Sequence, residues 1–225
     1  MAHPLDRPVW SALTTRLAPL AEGGALARKL RQDVGLFASA ADRSAEALAA
    51  LADLLAPGEI VGTLEPSGWP APPGLTPVRS ARCVQMVADT VGAEAPGFDI
   101  VPLTGMDAPA MLDLATRTEP GPFRPASHLF GGFVGVRRDG RLVAMAGTRL
   151  AAPGFVEVSG VCTDPDHRGR GYARGLSAVV ARAIVAAGDR PFLHAYAGHH
   201  ATIALYESLG FRLRTELEYA LFTRG

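Results

Sequence analysis

One stretch limits the fold more than any other. The apolar, β-branched segment FVEVSGVCT, residues 155–163, runs into DPDHRGRGYARG, residues 164–175, and then into a helical pattern. A strand that feeds a helix through a glycine-rich turn directs the unpaired N–H groups of the helix's first turn at the space beyond the strand end. Gly169 and Gly171 let a ligand approach the backbone closely, and the helix dipole favours negative charge there. Arg168, Arg170 and Arg174 supply local positive charge, and guanidinium pairs well with phosphate oxygens. The segment therefore reads as an anion cradle. The plainer alternative is a tight turn with solvated arginines. Gly169, Gly171 and Gly175, with Asp189 downstream, also loosely match a dinucleotide-binding fingerprint. That match fails on context, because polar DPDHR separates the glycines from the strand and too little chain follows to complete a doubly wound domain.

The rest of the chain supplies partners for this unit. FDIVPLT reads as a strand and APAMLDLATRT as a helix. LFGGFVGVRR and RLVAMAGTRL read as a hairpin turning at Asp139-Gly140, a dipeptide suited to a type I′ turn. After the cradle, Tyr172, Leu176, Val179, Val180, Ala183, Ile184 and Ala187 recur at helical spacing, with Arg174, Ser177 and Arg182 off that stripe and Gly188 as the stop. PFLHAY reads as a strand, ATIALYESL as a short helix, and FRLRTELEYALFTR as one bent strand or a hairpin. Earlier, VWSALTTRLAPL and DRSAEALAALADLL read as helices, the latter opened by Asp42 or Ser44, and EIVGTLE and ARCVQMVAD as strands. The fold class is a mixed α/β arrangement. Two Pro/Gly-rich breaks, residues 66–77 and 92–97, place a boundary near residue 97, which divides the chain into an N-terminal α/β region, residues 1–97, and a second domain, residues 98–225.

Composition narrows the function classes. At 225 residues and 48% hydrophobic, the chain can bury a core without metal or disulfide. The 22 basic and 22 acidic residues cancel, so no global field draws in nucleic acid, and no basic stripe points to a nucleic-acid partner. No apolar run is long enough to span a membrane, and the N-terminus lacks signal-peptide character, so no membrane partner and a cytoplasmic location are expected. Cys83 and Cys162 sit in strand-like segments as free thiols. His194, His199 and His200 lack the accompanying ligands of a metal site, and none is expected.

Two motifs carry a resemblance. Arg168-Gly169-Arg170-Gly171-Tyr172-Ala173, preceded by Val161 and Pro165, resembles the R/Q-x-x-G-x-G/A segment of the GNAT N-acetyltransferase superfamily. ALYESLGF, residues 204–211, resembles the LYxxxGF element that closes the same fold. TEPGPF, AMAG, PGFVEVSGVCTDP and PFLHAY are similar to a bacterial subgroup with an extra N-terminal region, near the glycine N-acyltransferase-like branch. The resemblance covers the second part of the chain. It implies the GNAT acyl-CoA N-acyltransferase fold, a splayed, mainly antiparallel mixed sheet flanked by helices, with a separate N-terminal α/β region.

The same resemblance implies acetyl-CoA (coenzyme A) as cofactor and direct acetyl transfer to a primary amine on a small molecule or peptide. Arg168, Gly169, Arg170, Gly171, Tyr172 and Ala173 would hold the pyrophosphate, and Val161, Cys162 and Thr163 would pair with the pantetheine arm as an added strand would. Glu157, eleven positions before Arg168, is the expected general base, on the strand face shared by Phe155, Ser159 and Val161. Tyr206 is the expected general acid, and a backbone amide near Val161 the oxyanion partner. His199 stands where the family commonly has asparagine, so it is expected at the cofactor. The loop TEPGPFRPAS, residues 118–127, is expected beside the acceptor, where Phe123 and Arg124 could orient a small carboxylated amine. Three roles stay open for the N-terminal region: narrowing the acceptor site, a degenerate acetyltransferase-like half, or a homodimer contact. A catalytically silent acyl-CoA sensor is the rival reading.

Overall fold

The computed structural model describes residues 3–92 and 96–225. A short helix, Pro8–Thr14 (α1), is followed by three strands, Ala21–Gly23 (β1), Ala27–Leu30 (β2) and Ala38–Ala40 (β3), paired antiparallel in that order. Next comes helix Ala45–Asp53 (α2), whose Ser44 Oγ accepts from the Ala47 amide at 3.2 Å. Strands Ile60–Glu65 (β4), Leu75–Val87 (β5) and Val101–Pro102 (β6) precede helix Ala108–Thr118 (α3). Strands Val134–Arg138 (β7), Arg141–Ala152 (β8) and Phe155–Thr163 (β9) follow, then helix Tyr172–Ala186 (α4). Strand Arg190–Tyr196 (β10), helix His200–Glu207 (α5) and the long bulged strand Arg212–Arg224 (β11) end the chain.

Eight strands form one sheet in the order β4-β11-β5-β10-β9-β8-β7-β6. Every neighbouring pair is antiparallel except β9 with β10. The expected division near residue 97 does not divide this sheet, since β5 lies before it in sequence and between β10 and β11 in space. The GAEAPG break itself lies partly outside the described residues. The hairpin turn is as expected, with φ of 50° at Asp139 and 75° at Gly140.

Two expectations for helices need correction. The helix read across residues 9–20 stops at Thr14. There the hydroxyls of Thr14 and Thr15 turn back to the carbonyls of Trp10 and Ser11, and Thr15 leaves the helical region at φ −127° and ψ −104°. The buried face of α4 is Tyr172, Leu176, Ser177, Ala178, Val180, Ala181 and Ile184, so Ser177 is buried while Ala183 and Ala187 are exposed.

The sheet buries both faces. α4 covers one, packing on Met86, Val136, Val158 and Leu193. Leu5, Val9 and Leu13 of the N-terminal segment cover part of the other, against Leu150, Phe155, Phe192 and Leu217. No helix among the described residues is long and apolar enough to cross a membrane. The N-terminal segment is tied to the edge strand β4 through charge. Arg7 Nε and Nη2 donate to the two Glu65 oxygens at 2.8 and 3.0 Å, and Glu65 is only 2% exposed. Arg7→Met strands that carboxylate, so about 3–5 kcal/mol of unfolding free energy should be lost in urea melts, whereas Arg7→Met with Glu65→Leu should recover most of it. Equal losses in both variants would show that the pair is not what fixes the segment.

Candidate active site

The strands part at one place. β9 and β10 run in parallel register only at Phe155–Arg190, Val156–Pro191 and Glu157–Phe192. Beyond that, β10 pairs only with β5 and β9 only with β8. A strand edge from Val158 to Thr163 is left facing a wedge.

Two cavities open from this wedge. The smaller, about 460 Å³, is lined by Val161, Cys162, Thr163, Arg168, Gly169, Arg170, Gly171, Tyr172 and Ala173, all nine of them expected at the cofactor, and by His167. Gly169 and Gly171 hold φ of 74° and 76°, and a Cβ on either would project into open space. Gly171 is also the N-cap of α4, so the first-turn amides of a four-turn helix open onto this cavity. Tyr172 contributes only its backbone there. Its ring is buried edge-on against Phe98, and its hydroxyl accepts from Arg138 Nε at 3.1 Å. The Cys162 thiol is buried, and burial pushes it up to about 11, which makes it a poor nucleophile. Thr163 Oγ1 is buried without a hydrogen-bond partner on the same wall.

The larger cavity, about 830 Å³, is lined from both halves of the sequence: Leu36, Phe37, Leu64 and Arg79 on one side, Glu119 to Arg124, Arg149, Val161, His194, Tyr196, His199 and Tyr206 on the other. The two cavities meet at shared residues Pro120 and Val161. Their linings also alternate along α5, where Leu205 faces the smaller and Tyr206 the larger. Tyr206 therefore stands at the seam. Burial pushes its phenol up to about 12, so it keeps its proton throughout the neutral range.

Glu157 is not on the cavity wall, contrary to the strand-face reading. It is wholly buried at the apex of the wedge, where its carboxylate accepts from Arg149 Nε and Nη2 at 2.8 and 2.7 Å, His194 Nδ1 at 2.7 Å and the Leu150 amide at 3.2 Å. Burial alone would raise its pKa, but the Arg149 charge and hydrogen bonds and the His194 bond outweigh that and hold it far below the usual carboxylate range. Arg149 and His194 carry the network to the cavity. A bulge at Gly160, at φ 62° between the Gly147–Ser159 and Met145–Cys162 pairs, breaks the alternation that would put Glu157 on one face with Val161. Nor does alternation give any sign that Arg149, in the β8 bulge between Thr148 and Ala151 opposite Glu157, would occupy the space in front of it.

Gln85 holds the far side of the His194 ring. Gln85 Nε2 donates to the Leu5 carbonyl at 3.0 Å, and its Oε1 accepts from Arg214 Nη1 at 2.9 Å. The amide is thereby oriented, with its Nε2 3.1 Å from His194 Nε2. His194 thus bridges Gln85 through Nε2 and the Glu157 carboxylate through Nδ1. Sequence reading passed over Arg149 and Gln85 and weighed His194 only as a metal ligand, and only the long-range register brings the three together.

His199 lies on the larger cavity, its ring edge-on to Tyr196 with centroids 5.2 Å apart, and makes no side-chain cap to α5. It shares that cavity with Val161 and is not among the residues of the smaller one. Phe123 and Arg124 line the larger cavity. No cluster of three or more metal-ligating side chains is found among the described residues.

Comparison with known proteins follows this geometry. Residues 133–220 match the family model described as FR47-like protein. The chain is 43% identical, with a TM-score of 0.90 and full coverage of both chains, to an acetyltransferase of the GNAT family from Novosphingobium aromaticivorans whose crystal structure is known. It also resembles, at 21% identity and TM-score 0.68, a GCN5-related N-acetyltransferase from Kribbella flavida, covering 100% of this chain and 97% of that one. A GCN5-related N-acetyltransferase-like protein from Streptococcus suis shares the fold at 15% identity and TM-score 0.62, with 96% and 92% covered. No protein of curated function matches the sequence.

The Glu157 network carries a pH signature. A depressed carboxylate contributes stability that is present above its unfolded value near 4.5 and is lost as pH falls towards the folded pKa. Glu157→Gln should therefore be markedly less stable than the wild type at pH 7, with the gap in melting temperature shrinking as pH is lowered below about 4.5. A gap that is constant or grows on acidification would contradict the charged assignment.

Proposed function

Because the chain belongs to the GNAT family of acetyltransferases and is an acyltransferase, we propose that it moves an acetyl group from acetyl-CoA directly to a primary amine of a small molecule or peptide. The observation that carries the reading is the junction at Val161 and Pro120 between a glycine- and arginine-lined cradle and a separate acceptor-sized cavity.

The residues present fit coenzyme A. Open space over Gly169 and Gly171, the N-terminus of α4 and three nearby arginines suit a pyrophosphate, and the free β9 edge suits a chain bearing amides. Arg168, Gly169, Arg170, Gly171, Tyr172 and Ala173 would hold the former, Val161, Cys162 and Thr163 the latter. When bound, the cofactor supplies an activated thioester.

The chain's own groups then do three things. Tyr206 offers a protonated phenol at the seam, suited to give a hydrogen bond and then a proton to a leaving thiolate. A backbone amide at the β9 edge near Val161 stabilises negative charge on the carbonyl oxygen. The wedge walls exclude water from the reacting carbonyl. We assign Glu157 a positioning role in place of the base: its lost proton affinity and full burial suit it to anchoring Arg149 and fixing His194. We further assign the N-terminal region the narrowing of the acceptor cavity, on the strength of Leu36, Phe37 and Leu64 in its wall.

Calorimetric titration with acetyl-CoA and a thiol-release assay over an amine panel test this reading. Gly171→Val, which places a side chain in the cradle at positive φ, should weaken acetyl-CoA binding at least about tenfold. Tyr206→Phe should keep the affinity and lower kcat by about a hundredfold. Absence of acetyl-CoA binding, or a Tyr206→Phe enzyme with full turnover, would overturn the respective assignment.

A further inference from the structure

We propose that Ser177 is a positioning residue for the transfer step: its hydroxyl donates a hydrogen bond to the Tyr206 oxygen and stabilises that oxygen once its proton has left. This deepens the acetyl-transfer reading and rests on it.

Ser177 carries a hydroxyl that its own helix does not use. A serine inside a helix can turn its hydroxyl back to a carbonyl one turn earlier. Ser177, in the second turn of α4, is 0% exposed, and its Oγ has no hydrogen-bond partner among the described residues. An unbonded buried hydroxyl is costly, and alanine is the better helix former, so stability does not account for serine here.

The polar group beside that hydroxyl is the Tyr206 phenol. α4 and α5 are joined one turn earlier, where Arg174 Nε donates to Ser208 Oγ at 3.4 Å. Residues three apart share a side of a helix, so Ser177 lies on the side of α4 that Arg174 turns to α5. The rest of Tyr206 is fixed without Ser177. Its ring packs on Phe211 with centroids 6.0 Å apart, and its carbonyl accepts from the Leu209 and Phe211 amides at 3.0 and 3.1 Å. Ser177 therefore acts on the phenol end alone.

Proton transfer to sulfur needs such a donor. Burial is the largest influence on the phenol and pushes it up to about 12, whereas a simple thiol titrates near about 8.5. The proton would move uphill unless the phenolate is stabilised where it forms. Ser177 is the strongest group acting against the rise, ahead of the Arg149 charge. A hydrogen bond to a charged oxygen is roughly twice as strong as one to a neutral oxygen, so this bond gains strength as the proton leaves. As the C–N bond forms and the C–S bond breaks, Tyr206 gives its proton to the leaving sulfur and Ser177 Oγ–H donates to the phenolate. The proton shed by the attacking nitrogen restores the phenol.

Ser177→Ala is the test. In the thiol-release assay kcat should fall at least about tenfold, with KM and acetyl-CoA affinity unchanged. The same change made in Tyr206→Phe should cost nothing further. Its melting temperature should hold or rise, since an unbonded buried hydroxyl is removed. A readout that needs no acceptor comes from nuclear magnetic resonance of CoA-loaded protein with its tyrosines isotope-labelled at Cζ. The resonance lost in Tyr206→Phe should move in Ser177→Ala, while those of Tyr172, Tyr196 and Tyr219 stay. An unmoved Tyr206 resonance, full kcat in Ser177→Ala, or an equal further loss on top of Tyr206→Phe would overturn the proposal. A lower melting temperature with unchanged kcat would make Ser177 a packing residue and reject it too. Failure of the acetyl-transfer reading would show separately, as wild-type protein that does not bind acetyl-CoA.

Discussion

The parting of two parallel strands is the constraint on which the rest depends. β9 and β10 stay together for three residue pairs and then separate, and the last pair contains Glu157. Its carboxylate binds side chains from both neighbouring strands, Arg149 on β8 and His194 on β10, so the apex of the wedge is tied by charge and hydrogen bonds as well as by the backbone ladder. A buried carboxylate with four such donors is satisfied and rigid. It fixes the angle from which the free edge of β9 departs, and thereby the seam between the two cavities.

That arrangement assigns the charges different tasks. The Arg149–Glu157 pair is internally balanced and continues through His194 and Gln85 to Arg214 and Asp6. Removing one member leaves an uncompensated buried charge, which costs more than the pair itself contributes. Arg79, Arg124 and Glu119 line the larger cavity outside that network. The N-terminal segment supplies one end of the network through Asp6 and the Leu5 carbonyl, and supplies cavity wall through Leu36 and Phe37. It is part of the site's architecture.

Local chemistry was legible in the sequence, and long-range assembly was not. The cradle could be read because its parts are contiguous: an apolar strand, two glycines needing positive φ and a helix start all lie between residues 155 and 186. The Asp139-Gly140 turn and the Ser44 cap were readable for the same reason. β1 to β3 escaped notice, being three or four residues each, rich in alanine and without alternation. The insertion of β5 between β10 and β11 has no local signature, so a sheet spanning the Pro/Gly-rich break looked like two regions. Glu157 shows the limit best. Spacing placed it near the reaction, but whether a carboxylate accepts protons depends on partners such as Arg149 and His194 that only tertiary pairing provides.

In the proposed complex the free edge of β9 receives the acyl donor's amide-bearing arm. Hydrogen–deuterium exchange with and without coenzyme A measures this most directly, read on the peptide covering Val158–Thr163. The account predicts slowed exchange there and at the first turn of α4, with little change in β8 or β7. Protection confined to the 168–173 turn, or none on the β9 edge, would contradict it.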